Sequence, residues 1–139
     1  GRPNAAASGF ASGIVREPLA GVETVVPVPP EVRMWVLSPR FAVESLVAGA
    51  SLTSEQLGSS RAINLPGVSV SVGEMAAALE RVAGPEVAAR VSWKPDPAIE
   101  AIAATWPGAW DTTRAEALGL RGDTDFDAIV RAYMEDDMP

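Results

Sequence analysis

The side chains here that could do chemistry are suited to holding a ligand, and none of them is a ready proton carrier. Arg33 lies in an extended, β-branched stretch, and its planar guanidinium can grip a carboxylate through two parallel hydrogen bonds. The alternative for Arg33 is a surface ion pair with Glu31 or Glu44. Trp35 is two residues on, so strand alternation puts it on the same face, either beside the arginine at a binding surface or, as expected of a large aromatic, in a core. Asn4, Ser8 and Ser12 fall in the opening loop-to-helix stretch GRPNAAASGFASG, where they can hydrogen-bond hydroxyl groups or serve as ordinary caps and surface residues. Gly9 and Gly13, four apart, give one helix face a smooth strip that a backbone or ligand can approach. Arg40, at the start of a second helix, is either a helix-terminal charge or a second cation for the same pocket.

What is absent restricts the chemistry further. The sequence has no histidine and no cysteine, which removes the usual neutral-pH base, the Ser-His-Asp arrangement, thiolate chemistry, disulfides and most zinc sites. A Tyr-x-x-x-Lys pair, in which the ammonium lowers the tyrosine pKa to make a base, does not occur. Four residues after Tyr133 stands Asp137, and four before Lys94 stands Arg90. No G-x-G-x-x-G or G-x-x-G-x-x-G joins a strand to a helix, so no dinucleotide-binding turn is encoded. Eleven basic against 18 acidic residues give a net charge of −7, which argues against a nucleic-acid partner. Six of the acids crowd into residues 123–137, where only Arg131 opposes them, and they read as a solvated terminal helix rather than a metal cluster. No apolar run nears the roughly 18–20 residues that span a bilayer, and no charged start precedes an apolar block. The expectation is a chain neither inserted in a membrane nor secreted, at home in the cytoplasm.

These residues need a scaffold, and 139 residues is the length of one domain. Asn4 or Ser8 can start a helix to about residue 16, with Phe10, Ile14 and Val15 on its apolar stripe and Pro18 ending it. Short strands are expected at 23–28, 32–37, 62–65 and 87–93. Ser38-Pro39 begins a helix to about residue 50, with Phe41, Val43, Leu46 and Val47 partly facing a core. Capping-box spacing marks a short turn at 53–56 and a good helix from Ser71 to Ala83. Asp96-Pro97 caps a helix carrying Ile99, Ile102 and Trp106, Asp111 caps a short one ended by Gly119, and residues 124–127 start the last. Trp93, Trp106 and Trp110 are read as packing residues. The fold class is therefore α/β, a small mixed lobe rather than a full doubly wound sheet.

Four stretches, in order, carry a resemblance. GRPNAAASGFASGIVREPL at the start, Arg33-Met-Trp-Val-Leu-Ser-Pro-Arg-Phe-Ala, Asn64-Leu-Pro-Gly-Val-Ser-Val-Ser-Val-Gly-Glu and Asp111-Thr-Thr-Arg-Ala-Glu-Ala-Leu-Gly-Leu are spread along nearly the whole chain. Each resembles a segment of the C-terminal portion of the extended short-chain dehydrogenases/reductases, the NAD-dependent epimerase/dehydratase family. Within that family the opening and Arg33-x-Trp-x-x-Ser-Pro-Arg40 are most similar to the branch that oxidises D-erythronate, a small sugar acid, with NAD. The resemblance implies that residues 1–139 are the substrate-binding portion of a larger enzyme. NAD, the Tyr-x-x-x-Lys base and the Rossmann half would lie outside this chain, which alone would be inactive and bind no NAD. The family's arginine at Arg33 commonly faces the substrate, and Asn4, Ser8, Ser12 and Arg40 would complete the contacts. Met34 and Arg40 stand where the family usually has aspartates, a shift toward positive charge that suits a carboxylate. Two other readings stay open, the lobe of a nucleotide-sugar epimerase or dehydratase and a non-catalytic binding module derived from it. Homo-oligomerisation also stays open. Loss of the other half would expose Phe10, Ile14 and Val36 and favour self-association.

Overall fold

The chain, seen here as a computed structural model, is described over residues 6–138. Polar caps set most of its helix starts. Helix α1 (Gly9–Leu19) leads into strand β1 (Thr24–Val26), and β2 (Arg33–Val36) into α2 (Pro39–Ala50), whose N-cap Ser38 accepts from the Phe41 N–H. Thr53 and Gln56 close a capping box on α3 (Ser54–Leu57). Strand β3 (Val68–Ser71) runs directly into α4 (Val72–Ala83), where Ser71 and Glu74 form a second box. After α5 (Pro85–Ala88) come β4 (Val91–Trp93), α6 (Pro97–Ala103), α7 (Thr113–Ala117) and α8 (Phe126–Asp136). Asp96 and Asp125 cap α6 and α8.

The strands form two pairs. β1 lies parallel to β4, with Thr24 opposite Val91, and β2 lies antiparallel to β3, with Arg33 opposite Ser71 and Trp35 opposite Ser69. Helix α4 is central: Val72, Met75, Ala78 and Leu79 are buried, and it packs against α1, α5, α8 and β3. Around it the core gathers Phe10, Ile14 and Val15 of α1, Val26, Val28, Met34 and Val70 of the strand regions, and Phe126, Ile129 and Val130 of α8. The mixed α/β lobe is as expected. Among the described residues no helix is long and apolar enough to cross a membrane.

Several elements differ from the sequence reading. Helix α1 continues through Pro18 to Leu19, because a proline in the last turn forfeits a single intrahelical donor and its fixed φ suits the helix. Residues 62–65 form no strand, since no other backbone in the described residues pairs with them. The strand expected at 87–93 is shortened from its start by α5, and β3 stands where none was expected. Helix α2 buries only Ser45, while Val43, Leu46 and Val47 are 59%, 72% and 67% exposed, so its apolar side meets no core here. Trp93 and Trp110 are exposed too, and of the three late tryptophans only Trp106 packs, stacked on Phe10 with ring centroids 6.3 Å apart. Phe10 and Ile14 are buried within the chain itself, which removes them as a cause of self-association.

Candidate functional site

Helix α1 presents its polar side to two cavities. One, of about 420 Å³, lies between α1 and β1 and is lined by Gly9, Ser12, Gly13, Arg16, Glu17 and Thr24, among others. The second, of about 620 Å³, opens between α1, β2 and α8, with Val15, Met34, Val36 and Phe126 as apolar wall and Ser12, Arg16, Tyr133 and Asp137 as polar lining. Ser12 and Arg16, one helical turn apart, belong to both. The strip at Gly13 is occupied by the chain's own Glu17, whose carboxylate takes the space a Cβ would fill. Glu17 in turn accepts from Arg16 at 2.7 Å and from the Thr24 hydroxyl at 3.5 Å. The lining of the smaller cavity thus carries a paired charge.

The proposed ligands fall in separate places. Ser12 is exposed, and its hydroxyl donates to the Gly9 carbonyl at 3.2 Å while lining both cavities. Ser8 stands at the N-cap of α1 but its side chain makes no capping bond, which leaves the exposed hydroxyl available. Asn4 lies outside the described residues. Arg40 is engaged on α8: Nε and Nη2 grip Asp136 at 2.7 and 2.8 Å, and Nη2 also reaches Glu135 at 2.8 Å. The hydrogen bonds Arg40 donates to Asp136 foremost raise its pKa further above the ordinary arginine range, and Arg40 in turn holds the Asp136 carboxyl low. To enter a pocket Arg40 would have to release both acids.

Arg33 sits on a shelf of its own. Its Nη1 donates to the Ser69 carbonyl at 3.0 Å and to the Ser69 hydroxyl at 3.3 Å, and its Nη2 donates to Glu74 at 3.3 Å. The partner is Glu74, not Glu31 or Glu44. The β2–β3 register explains this: Arg33 lies opposite Ser71, the N-cap of α4, and the capping-box Glu74 folds back there to accept from the Ser71 N–H at 2.6 Å. That backbone bond is the main reason the Glu74 carboxyl is held below its ordinary value, with Arg33 adding to it. Ser69 also donates to the Gly108 carbonyl at 2.7 Å, and Gly108 packs against the Arg33 stem, so the turn between Trp106 and Trp110 forms one wall of the shelf. Arg33 Nε has no partner among the described residues. Ser69 and Glu74 were missed as neighbours of Arg33. The Val68-Ser-Val-Ser alternation signals the strand, but only the register shows what faces it.

The acidic run is less isolated than its sequence implies. Asp123 is buried and accepts from the Ser38 N–H at 2.7 Å, Asp127 pairs with Arg81 and Arg131, and Glu135 and Asp136 take Arg40. Cations from α2 and α4 therefore join Arg131 in opposing it. Among the described residues no three or more acidic side chains converge as a metal cage.

No family model matches the chain. It is 56% identical over 136 residues to D-erythronate dehydrogenase from Cupriavidus necator and 41% identical over 138 residues to D-erythronate dehydrogenase from Haemophilus influenzae. These alignments take in 98% and 99% of this chain but 42% and 44% of those proteins, so the chain spans less than half the length of the curated relatives it matches. A solved nucleoside-diphosphate-sugar epimerase from Agrobacterium tumefaciens superposes with a TM-score of 0.94 at 42% identity, covering 99% of this chain and 40% of that one. An L-threonine dehydrogenase from Clostridium difficile gives 0.81 at 20% identity over 97% of this chain and 42% of that one, a likeness of fold alone.

Proposed function

From a chain whose sequence and fold are those of the C-terminal part of epimerase-like short-chain dehydrogenases, we propose the substrate-binding part of an NAD-dependent oxidoreductase acting on a small sugar acid. The reaction would turn a secondary alcohol of a D-erythronate-like substrate into a ketone. The observation that carries this reading is the 56% identity, along almost the whole chain, to the Cupriavidus necator D-erythronate dehydrogenase.

The chain's residues do not fit NAD. Strand β1 runs into Pro27, Pro29 and Pro30 where a dinucleotide site needs a glycine-rich turn opening a helix. Cofactor and base are assigned to the part of the relatives outside the match, in a cytoplasmic protein. The part left to this chain is recognition. Arg33 would take the carboxylate through its free Nε edge, and Asn4, Ser8 and Ser12 the hydroxyls, setting specificity rather than making or breaking bonds, although in this chain Ser8 and Ser12 stand apart from the Arg33 shelf. Arg40 would join only after release from α8.

The test is a chimera in which this chain replaces the matching segment of the Cupriavidus necator enzyme. It should form NADH from D-erythronate, and Arg33→Ala should lower kcat/KM by an amount equivalent to roughly 1.5–3 kcal/mol, the range for a hydrogen bond to a charged group. Arg33→Lys should recover part of that, since a point charge lacks the two-pronged fit. A folded chimera that binds NAD and leaves D-erythronate untouched would overturn the substrate. A second reading, the lobe of a nucleotide-sugar epimerase, draws on the Agrobacterium tumefaciens structure. Conversion of a nucleoside-diphosphate sugar by the same chimera would favour it, and a chimera inert to both substrates would favour a binding module.

A further inference from the structure

The carboxylate of Glu74 carries more than its helix start requires. A capping box closes with either glutamate or glutamine, and on α3 this chain uses Gln56, which accepts from the Thr53 N–H at 2.9 Å. The matching position of α4 holds a charge instead, and that charge stands against Arg33. Oε2 of Glu74 accepts from the Ser71 N–H at 2.6 Å and from Arg33 Nη2 at 3.3 Å. The Ser71 bond foremost holds the carboxyl below its ordinary pKa, so it is ionised at neutral pH. The glutamate side chain is 58% exposed and the arginine side chain 49%, so a ligand arriving from solvent feels both charges.

The surroundings keep the pair together. The Ser69 carbonyl and hydroxyl take Nη1, and Gly108 lies against the Arg33 stem, where an added Cβ would come within 3.1 Å of Cγ. An anion at the open Nε edge therefore shares one guanidinium with a carboxylate already in place. Its first negative charge meets a pair of nearly zero net charge and is held by the direction of the N–H. A second negative charge on the same head group is drawn by Arg33 and pushed back by Glu74, so it adds little. Two like charges about 6 Å apart change an affinity by about threefold in water and by about tenfold where the dielectric is halved. Salt narrows the effect.

We propose that Glu74 is a charge filter on Arg33, one that admits a singly charged carboxylate and disfavours the doubly charged phosphate and phosphonate head groups that an arginine without an acidic partner would hold. The inference rests on the reading of Arg33 as the carboxylate ligand. It assigns to one residue the choice between a sugar acid and a phosphorylated sugar.

Calorimetric titration of the chimera described above, loaded with NADH so that no ligand is oxidised, tests the filter. The probes are D-erythronate and its analogue with phosphonate in place of carboxylate, at low salt and with the phosphonate doubly ionised. Glu74→Gln puts an amide oxygen where Oε2 stands and so keeps an acceptor for Ser71 and Arg33 while removing the charge. It should strengthen phosphonate binding relative to D-erythronate by about three- to tenfold, and the gain should shrink in high salt. Adding Arg33→Ala should cancel most of it. An unchanged ratio in the glutamine variant, with Arg33→Ala still weakening D-erythronate, overturns the filter alone. A gain that survives Arg33→Ala undiminished also overturns it, since the charge then acts elsewhere. Arg33→Ala without effect on either ligand sinks the Arg33 reading and the filter with it. Should the glutamine variant fail to fold, the unsubstituted chimera decides. There the phosphonate should bind no more tightly than D-erythronate, and tighter binding overturns the proposal.

Discussion

The tie between Asp123 and Ser38 should be among the costliest polar contacts in the chain to break. Ser38 is fully buried, and its N–H, at the mouth of α2, is satisfied by the Asp123 carboxylate at 2.7 Å across 85 positions of sequence. Asp123→Ala removes a charged acceptor from a buried donor, for which losses of about 1.5–3 kcal/mol are usual. It also takes a negative charge from the N-terminal end of a 12-residue helix, worth about 0.3–1 kcal/mol more. The expected loss is about 2–3 kcal/mol, or roughly 5–10 °C in melting temperature for a domain of this size. Asp123→Asn keeps an acceptor of the same shape and should lose only about 1 kcal/mol. Urea unfolding of the 139-residue chain reads both, and the slope should stay constant if only the native contact changes. An alanine variant within about 0.5 kcal/mol of the parent would refute the reasoning, because that is the scatter of an inconsequential surface change. An asparagine variant as damaged as the alanine one would move the effect from the hydrogen bond to the charge.

Three further outcomes are expected. Gly67→Ala should destabilise by about 1–3 kcal/mol in the same assay, because its Cβ would lie 2.6 Å from the Val36 carbonyl and 2.8 Å from Trp35 Nε1. Glu74→Gln should lower the melting temperature at neutral pH, with the gap closing on acidification. A carboxyl whose folded pKa is depressed stabilises above its unfolded value, near 4.3, and loses that contribution as pH falls through the lower folded one, so a gap that widens in acid would refute the assignment. Calorimetric titration of the chain alone with NAD should show no stoichiometric micromolar site, and finding one would contradict the placement of the cofactor elsewhere.

Many local signals in the sequence were read correctly, although the expected cap at Asp111 gives way to Thr112, which starts α7 without a side-chain cap bond. Ser38 before Pro39, the Thr53–Gln56 and Ser71–Glu74 boxes and Asp96 before Pro97 each start a helix because a side-chain oxygen three or fewer residues away meets an orphan N–H. Signals that need a partner were read less well. The residues at 62–65, with Ala62 and Asn64, are less β-prone than the β-branched β1, and while β1 has β4 beside it, no backbone among the described residues pairs with 62–65. The periodicity of α2 shows that Val43, Leu46 and Val47 share a face, but periodicity does not say what covers that face. Trp93 and Trp110 were assigned to packing by residue type alone, and residue type does not say which large aromatics find a neighbour.

For the candidate site the same division has a chemical consequence. Arg33 was legible as a cation on a strand, but the carboxylate next to it is 41 residues away and arrives only through the β2–β3 register. One oxygen of Glu74, Oε2, accepts from both the Ser71 N–H and Arg33, so the cap that starts α4 also fixes the plane of the guanidinium. Ser69 fixes Nη1, and the edge left open is the one carrying Nε. An acid bound at Arg33 would therefore meet a pair of nearly zero net charge, and its selection would rest on the direction of the remaining N–H groups more than on attraction over distance. A glutamate that begins a helix by purely local rules thus decides how an arginine on another strand can be approached.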